Sequence, residues 1–144
     1  MKISHLIFIV ICLFITSNTL FSTTSYEVSG EIIGLTGKHK VYIGLFRKEK
    51  WLKKPFKGIV LTPEKVKNGR VKYILDAPKG EYAITVYEDV DGNGKLTRGM
   101  FGPKEPYGFY RNYSPSFGPP DFDDCHFRVE NDLENLNIPL LNRE

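Results

Sequence analysis

The sequence lacks the residue patterns that identify several common enzyme classes. It contains no Gly-x-Ser-x-Gly elbow, no His-Glu-x-x-His zinc motif and no phosphate-binding glycine loop before a helix. Cysteine is also scarce, because Cys12 lies in an N-terminal apolar run and the other cysteine is Cys125. If that run is cleaved off, Cys125 has no partner within the chain. This excludes an internal disulfide and a metal–thiolate cluster, and leaves an intermolecular disulfide open.

Neither sign of charge dominates the composition. The chain has 20 Lys and Arg residues against 17 Asp and Glu residues, and these are interspersed. Nucleic-acid-binding domains typically carry a basic patch or stripe, so we expect no nucleic-acid partner. A small basic cluster around Trp51 is most simply a solvated loop.

Long apolar runs are absent except for one short segment near the N-terminus. Lys2 gives a positive start, Leu6 to Ile15 is apolar, and residues 16–25 form a small, polar tail. This is the three-part plan of a secretory signal peptide. The apolar run is about half of the ~20 residues that a membrane span needs. We predict a signal peptide over residues 1–25, cleaved between Thr19 and Ser25, and export to the periplasm or cell exterior without a remaining membrane span.

Sustained helical periodicity is also missing, and apolar residues alternate with polar ones after Tyr26. This pattern predicts strands near residues 26–32, 41–46, 70–76, 81–87, 125–130 and 136–140. We interpret Asn68-Gly69 as a two-residue hairpin turn, residues 76–80 as a tight connection, and Asn131-Asp132 as a hairpin turn between the last two strands. The prediction is a single domain over residues 26–144, an all-β, antiparallel Ig-like or transthyretin-like β-sandwich of six or seven strands.

One long segment interrupts this alternation. Residues 90–124 contain five prolines and six glycines and show no clear strand. Loops of this length inside a domain are generally functional or disordered, and the many aromatic residues here favour order. We predict an ordered loop that packs over one end of the sandwich and forms an interaction surface.

The start of that segment resembles a calcium-binding loop. Oxygen-bearing side chains at positions one, three and five, with glycine at six, correspond to Asp89, Asp91, Asn93 and Gly94. The backbone carbonyl of Lys95, the side chain of Thr97 and the carboxylate of Glu105 are further candidate ligands, while Met100 stands where a bidentate Glu is expected. The alternative is a plain turn whose Asp and Asn side chains bond their own backbone.

A second candidate site consists of the aromatic residues that follow. Tyr107, Phe109, Tyr110 and Tyr113 could form a platform on which a carbohydrate ring or a peptide stacks, and Arg111 could bind a carboxylate. The alternative is that these rings seal the end of the sandwich.

We predict a non-catalytic binding or structural module, and catalysis is the competing hypothesis, against which we lean. Glu105, Asp121 and Asp123 are the carboxylates that a small secreted hydrolase would use, but their spacing indicates no particular mechanism. We expect Asp124 and His126 to form an ion pair on one face of a strand, and Cys125 to be a buried, inert thiol on the other face.

Several short motifs occur in an order that resembles a known bacterial family. They lie at residues 80–84 (GEYAI), 87–96 (YEDVDGNGKL), 102–105 (GPKE), 107–109 (YGF), Asn112 and 117–124 (FGPPDFDD). Together they are similar to the exported family called domain of unknown function 2141, over essentially all of the chain after the signal peptide. The resemblance implies a signal-bearing single-domain protein with no assigned activity. The Gly-x-Tyr start of its strand is similar to transthyretin-like and carboxypeptidase-regulatory sandwiches, which implies an Ig-like fold.

This sequence departs from the family pattern at two positions. Family members often carry an acidic residue where this chain has Thr97, which weakens the metal hypothesis. They often carry a small residue where this chain has Cys125, which is most simply a packing substitution.

Overall fold

Two β-sheets face each other across one apolar core in the computed structural model, which describes residues 23–112 and 118–141. Most of the predicted signal peptide lies outside these residues. The strands of the described part are β1 Ser25–Ile33, β2 Lys40–Phe46, β3 Lys57–Leu61, β4 Arg70–Pro78, β5 Gly80–Asp89, β6 Arg98–Gly99, β7 Gly102–Pro103, β8 Tyr107–Phe109, β9 Phe127–Val129 and β10 Ile138–Pro139. Helix is confined there to the turn α1 Phe122–Cys125 and to 3-10 turns at Lys48–Lys50, Pro63–Lys65 and Tyr110–Asn112.

The first sheet has the order β10-β1-β4, and the second has the order β3-β2-β5-β8 with β9 also pairing with β5. All pairings within these sheets are antiparallel except β1 with β10, which is parallel. The chain changes sheets at Lys79, which separates β4 from β5. The predicted all-β sandwich is therefore confirmed, and no helix of the described residues has the length and apolar character to cross a bilayer.

The core follows from the alternation of apolar residues. In β4, Val71, Tyr73, Leu75 and Ala77 are buried while the residues between them are exposed. Alternate residues of β2 and β5 and two residues of β1 belong to the same cluster, so the two sheets close on one core. The Asn68-Gly69 turn is confirmed, because both residues have positive φ and Lys67 and Arg70 exchange both backbone hydrogen bonds.

Two sequence predictions about local structure are wrong, and one strand was missed. The Asn131-Asp132 turn does not join a hairpin, because β9 pairs with β5 while β10 pairs with β1 in the other sheet. Cys125 lies in the helical turn α1 instead of a strand, although it is buried as expected. The strand β3 was not predicted, because its apolar residues are consecutive and follow a glycine.

The long segment after Val90 also differs from the prediction. It contributes the strand β8 to the second sheet, so it is not only a loop. Its aromatic residues build a second apolar cluster with Ala83 of β5. Because Tyr82 and Ile84 face the main core, the neighbouring Ala83 points to the opposite face of the strand. The segment therefore covers the outer face of the second sheet, and does not simply close one end of the sandwich.

Candidate metal centre

The end of β5 places two acidic side chains in the interior. Glu88 is fully buried and Asp89 is 3% exposed. The Glu88 carboxylate accepts hydrogen bonds from the backbone N–H and the hydroxyl of Thr36, at 3.0 and 2.6 Å. Sequence analysis missed this contact, although the alternation of Tyr82, Ile84 and Val86 already predicted that residue 88 points inward. Glu88 thereby anchors the loop after β1 to the strand that carries Asp89.

Asp89 closes the turn that follows it. Its carboxylate oxygens accept the backbone N–H groups of Asn93 at 3.1 Å and Gly94 at 3.0 Å. Gly92 and Gly94 have φ of 73° and 74°, which glycine adopts at little cost. The turn thus wraps around the Asp89 carboxylate, as a calcium loop wraps around its first ligand.

Glu105 comes from the far end of the loop to the same place. It is 5% exposed, and its carboxylate accepts the backbone N–H groups of Val90 at 2.8 Å, Asp91 at 3.3 Å and Thr97 at 2.8 Å. The structure therefore brings Glu105 to the Asp89 turn.

Three carboxylates meet at this point. One oxygen each from Asp89, Asp91 and Glu105 lie within 4.8 Å of one another. Among the described residues, no Lys or Arg forms an ion pair with any of the three. Because no cationic side chain pairs with these carboxylates, the cluster has an excess of negative charge. Close like charges repel most strongly where they are shielded from water.

Asp91 is the exposed member of this cluster. Its Oδ2 accepts the Thr97 hydroxyl at 2.6 Å and the Asn93 amide at 2.9 Å. The Thr97 hydroxyl, with the backbone N–H of Asn93, holds the pKa of Asp91 below its usual range. The carboxylate is therefore charged at neutral pH and available to a cation.

The remaining candidate ligands are nearby but differently oriented. The Asn93 Oδ1 accepts the backbone N–H of Lys95 at 2.7 Å, and its amide nitrogen lies 2.6 Å from the Thr97 hydroxyl. The amide oxygen of Asn93 would have to turn toward Asp91 to bind a metal. Met100, at the twelfth position of the loop, is 91% exposed and has no place in the cluster.

The predicted aromatic platform is partly buried. Tyr107 and Phe109 are 4% and 7% exposed, and Tyr110 packs edge-on against Phe127 at 5.3 Å. Arg111 is exposed and has a positive φ of 68°. The remaining predicted residue, Tyr113, lies outside the described residues.

Trp51 completes the second apolar cluster from another loop. Its ring contacts Phe46, Phe109 and Phe122, with centroids 5.5, 6.1 and 5.8 Å away. Its Nε1–H donates to the carbonyl of Pro120 at 2.9 Å. These contacts fasten the segment before α1 to the outer face of the second sheet.

A cavity of ≈ 490 Å³ adjoins this cluster. It lies between the segment from Leu96 to Pro103 and the outer face of β5 and β8. Tyr107 and Phe109 form part of its lining, together with Tyr87 and Thr85 of β5. The hydroxyl of Tyr87 donates to Gly94 at 3.0 Å, so the cavity wall and the metal loop share a contact.

The acidic residues near α1 are held separately from Glu105. Asp123 pairs with Lys48 at 2.8 Å, and this contact holds the pKa of Asp123 below its usual range. His126 does not pair with Asp124 as expected, because its Nδ1 lies 3.0 Å from the backbone oxygen of Asp123. Asp121 is exposed.

The Cys125 thiol behaves as the sequence indicates. It is fully buried beside Ala83 and Phe122, and burial raises its pKa to about 11. A thiol with so high a pKa is protonated at neutral pH and is a poor nucleophile.

Comparison with known proteins identifies a family and nothing finer. Neither a curated protein nor a solved structure matches the chain. Residues 32–137, which include Asp89, Asp91 and Glu105, match the family described as an uncharacterized protein conserved in bacteria, DUF2141. The predicted resemblance is confirmed, and the chain belongs to this bacterial family of domain of unknown function 2141.

Proposed function

We propose that this chain is an exported, non-catalytic binding module whose loop from Asp89 to Glu105 takes up a calcium ion. The observation that carries the proposal is the meeting of Asp89, Asp91 and Glu105 without a cationic partner in the described part of the chain. Two of these carboxylates are almost fully buried. Buried charges are stabilised when they are paired or bind a metal, and a divalent cation would offset this excess.

The donors in this loop are those that calcium prefers. Calcium takes six to eight oxygen ligands, and carboxylates, amide oxygens, backbone carbonyls and water all serve. The three carboxylates supply the charge, and the amide oxygen of Asn93, the carbonyl of Lys95 and the hydroxyl of Thr97 are the additional candidates. The absence of nitrogen and sulfur ligands from the cluster disfavours zinc.

Export would place the loop in a compartment that supplies calcium. Extracellular calcium-binding modules work with dissociation constants of about 0.1 to 1 mM. The predicted signal peptide supports delivery of the chain to such a compartment. A loop with few protein ligands is sufficient there, because water completes the coordination.

The test is a calcium titration of the purified protein by calorimetry, paired with thermal unfolding in calcium and in chelator. A site with a dissociation constant of ~1 mM adds about 1.4 kcal/mol at tenfold excess, which raises the melting temperature by about 5 °C. Asp91→Asn removes one exposed charge from the cluster and should abolish most of this shift. Asp121→Asn makes the same change at an exposed carboxylate outside the loop and should retain it.

The outcome that overturns the proposal is equally specific. No saturable heat and no calcium-dependent melting shift at millimolar calcium would mean that the loop is a plain turn. An equal response of the Asp91→Asn and Asp121→Asn variants would place the bound ion elsewhere.

The competing hydrolase hypothesis has less support. It assigns catalysis to Glu105, Asp121 and Asp123, but Glu105 is only 5% exposed, which keeps it from a substrate as large as a glycoside, and Asp123 pairs with Lys48. A general acid or base must reach its substrate through a free oxygen. Loss of nearly all turnover on a model glycoside in Asp121→Asn would support the hydrolase instead.

A further inference from the structure

The cavity beside the metal loop has the size of a small-molecule site. Its volume of ≈ 490 Å³ lies within the range of about 300–1,000 Å³ that is typical of ligand pockets. One wall is the sheet surface of β5 and β8, and the other is the small β6–β7 hairpin. The hydrogen-bonded sheet gives a rigid surface for a ligand, whereas the β6–β7 hairpin, whose strands have two residues each, can shift to fit it.

The chemistry of the lining selects the ligand. Most of the wall is apolar and includes Leu52, Leu96, Met100 and Phe109. Arg98 is the one charged residue among the described residues that line the cavity. No carboxylate is among these described residues. Within the described ranges Arg98 has no ion-pair partner, so its charge is available.

We propose that this cavity binds a small apolar carboxylate, with the hydrocarbon body against the sheet and the carboxylate paired with Arg98. Burial of the apolar body supplies the affinity, and the guanidinium selects an anion by paired hydrogen bonds. The proposal does not depend on calcium, although Thr97 beside Arg98 donates its backbone N–H to Glu105. An ion in the loop would therefore stiffen the wall that carries Arg98.

The experiment titrates the purified protein with decanoate by calorimetry, with and without calcium. Trp51 is the chain's one tryptophan and lies 6.1 Å from Phe109 of the lining, so its fluorescence is a second readout. We expect saturable binding of decanoate and much weaker binding of 1-decanol. A parallel titration with 4-phenylbutyrate distinguishes a straight-chain from an aromatic ligand, and binding of either one through Arg98 supports the proposal.

Two variants locate the site. Arg98→Gln should weaken decanoate binding about threefold to tenfold, which is the usual range for an accessible charge-assisted contact. Arg128→Gln is the matched control, because Arg128 lies on β9 outside the cavity, and should bind as the unchanged protein does. Thr85→Phe fills the cavity from its floor and should abolish binding, with circular dichroism confirming that it folds.

Three results would overturn the inference. They are the absence of saturable binding for both carboxylates, equal affinity for decanoate and decanol, and equal affinity in Arg98→Gln and Arg128→Gln. Each titration is made in calcium and in chelator, so the cavity proposal can be judged even if the calcium proposal fails. Binding of decanoate in chelator supports the cavity proposal independently of calcium, and absence of binding in both conditions overturns the cavity proposal.

Discussion

Glu105 accepts the backbone N–H of Val90 at 2.8 Å, although the two residues are 15 positions apart. The other oxygen of the same carboxylate accepts the N–H of Thr97 at 2.8 Å. One side chain therefore ties the outgoing and returning arms of the loop together. The contact satisfies partly buried backbone donors even without a metal, so Glu105 has a structural role in addition to any binding role.

We predict that Glu105→Gln destabilises the protein in chelator, where calcium cannot contribute. The amide nitrogen would face backbone donors in place of a carboxylate oxygen, so at least one charge-assisted hydrogen bond is lost. We expect a net loss of about 1–2 kcal/mol in the free energy of unfolding, measured by urea denaturation, because the lost charge-assisted hydrogen bond outweighs the relieved repulsion from Asp89 and Asp91. Glu134→Gln is the control at an exposed position and should change stability by less than about 0.5 kcal/mol.

Equal effects of the two substitutions would show that Glu105 does not support the loop. A large effect of Glu105→Gln in calcium and none in chelator would assign the residue to metal binding alone.

A second prediction concerns the close approach of the C-terminal segment to β1. A Cβ on Gly30 would overlap the backbone carbonyl of Leu136, whereas a Cβ on Gly58 would meet its nearest atom, the Ile43 carbonyl oxygen, at 3.5 Å. Both glycines lie in strands, where alanine is otherwise the better residue. We expect Gly30→Ala to cost about 3 kcal/mol, because the clash is with backbone, and Gly58→Ala to be within about 1 kcal/mol of neutral.

Chemical denaturation of the two variants measures the difference. Similar stabilities would mean that the segment after Asn131 can move away from β1 at little cost. The segment would then contribute little to the sandwich.

The sequence predicts the architecture well because alternation is a local signal. In β4 the buried and exposed residues follow the printed sequence without a break, and the turn at Asn68-Gly69 has the positive φ that its composition requires. The same alternation predicts burial of Cys125, and this is confirmed, but Cys125 lies in the helical turn α1, so strand alternation is not its cause. Its secondary structure could not be predicted, because a four-residue helical turn is set by its packing against Trp51 and Ala83.

The failures arise where pairing is decided over long distances. Nothing near Asn131 indicates that β9 joins the second sheet and β10 the first, since both strands are short and apolar. The candidate loop is a different case. Asp89, Asp91 and Asn93 alternate in the sequence and Glu105 is a predicted candidate ligand, but the convergence of Glu105 with Asp89 could not be derived, because the path of residues 98–103 has no periodic signal.

A third prediction tests a buried hydrogen bond between the sheet and the C-terminal segment. The Tyr73 hydroxyl donates to the carbonyl of Leu136 at 2.7 Å, and burial raises the pKa of Tyr73 well above its usual value. Tyr73→Phe keeps the ring and leaves the carbonyl unsatisfied. We expect a loss of about 1–2 kcal/mol in the free energy of unfolding. Tyr26→Phe, at a half-buried tyrosine whose hydroxyl has no such bond to the described residues, should cost less, and an equal cost would show that the hydrogen bond contributes nothing net.

A fourth prediction concerns the accessibility of the Cys125 thiol. Because the side chain is fully buried and protonated, we expect it to resist a thiol reagent such as Ellman's reagent in the folded protein at pH 8. The same thiol should react within seconds to minutes in denaturant. Rapid reaction of the folded protein, absent in Cys125→Ala, would contradict the buried and inert assignment.

The raised pKa of Cys125 also makes stability depend on pH. The thiol ionises near 9 in the unfolded chain and near 11 in the folded protein. Between these values the unfolded chain has lost its proton while the folded protein keeps it. Stability is therefore unaffected below pH 9 and falls as pH rises toward 11, by about 2 kcal/mol for a shift of this size.

Tyrosines titrate in the same window, so the comparison is with Cys125→Ala, in which they titrate equally. The unfolding free energy of the unchanged protein should decline relative to this variant between pH 8 and 11, and parallel curves would show that the thiol ionises alike in both states.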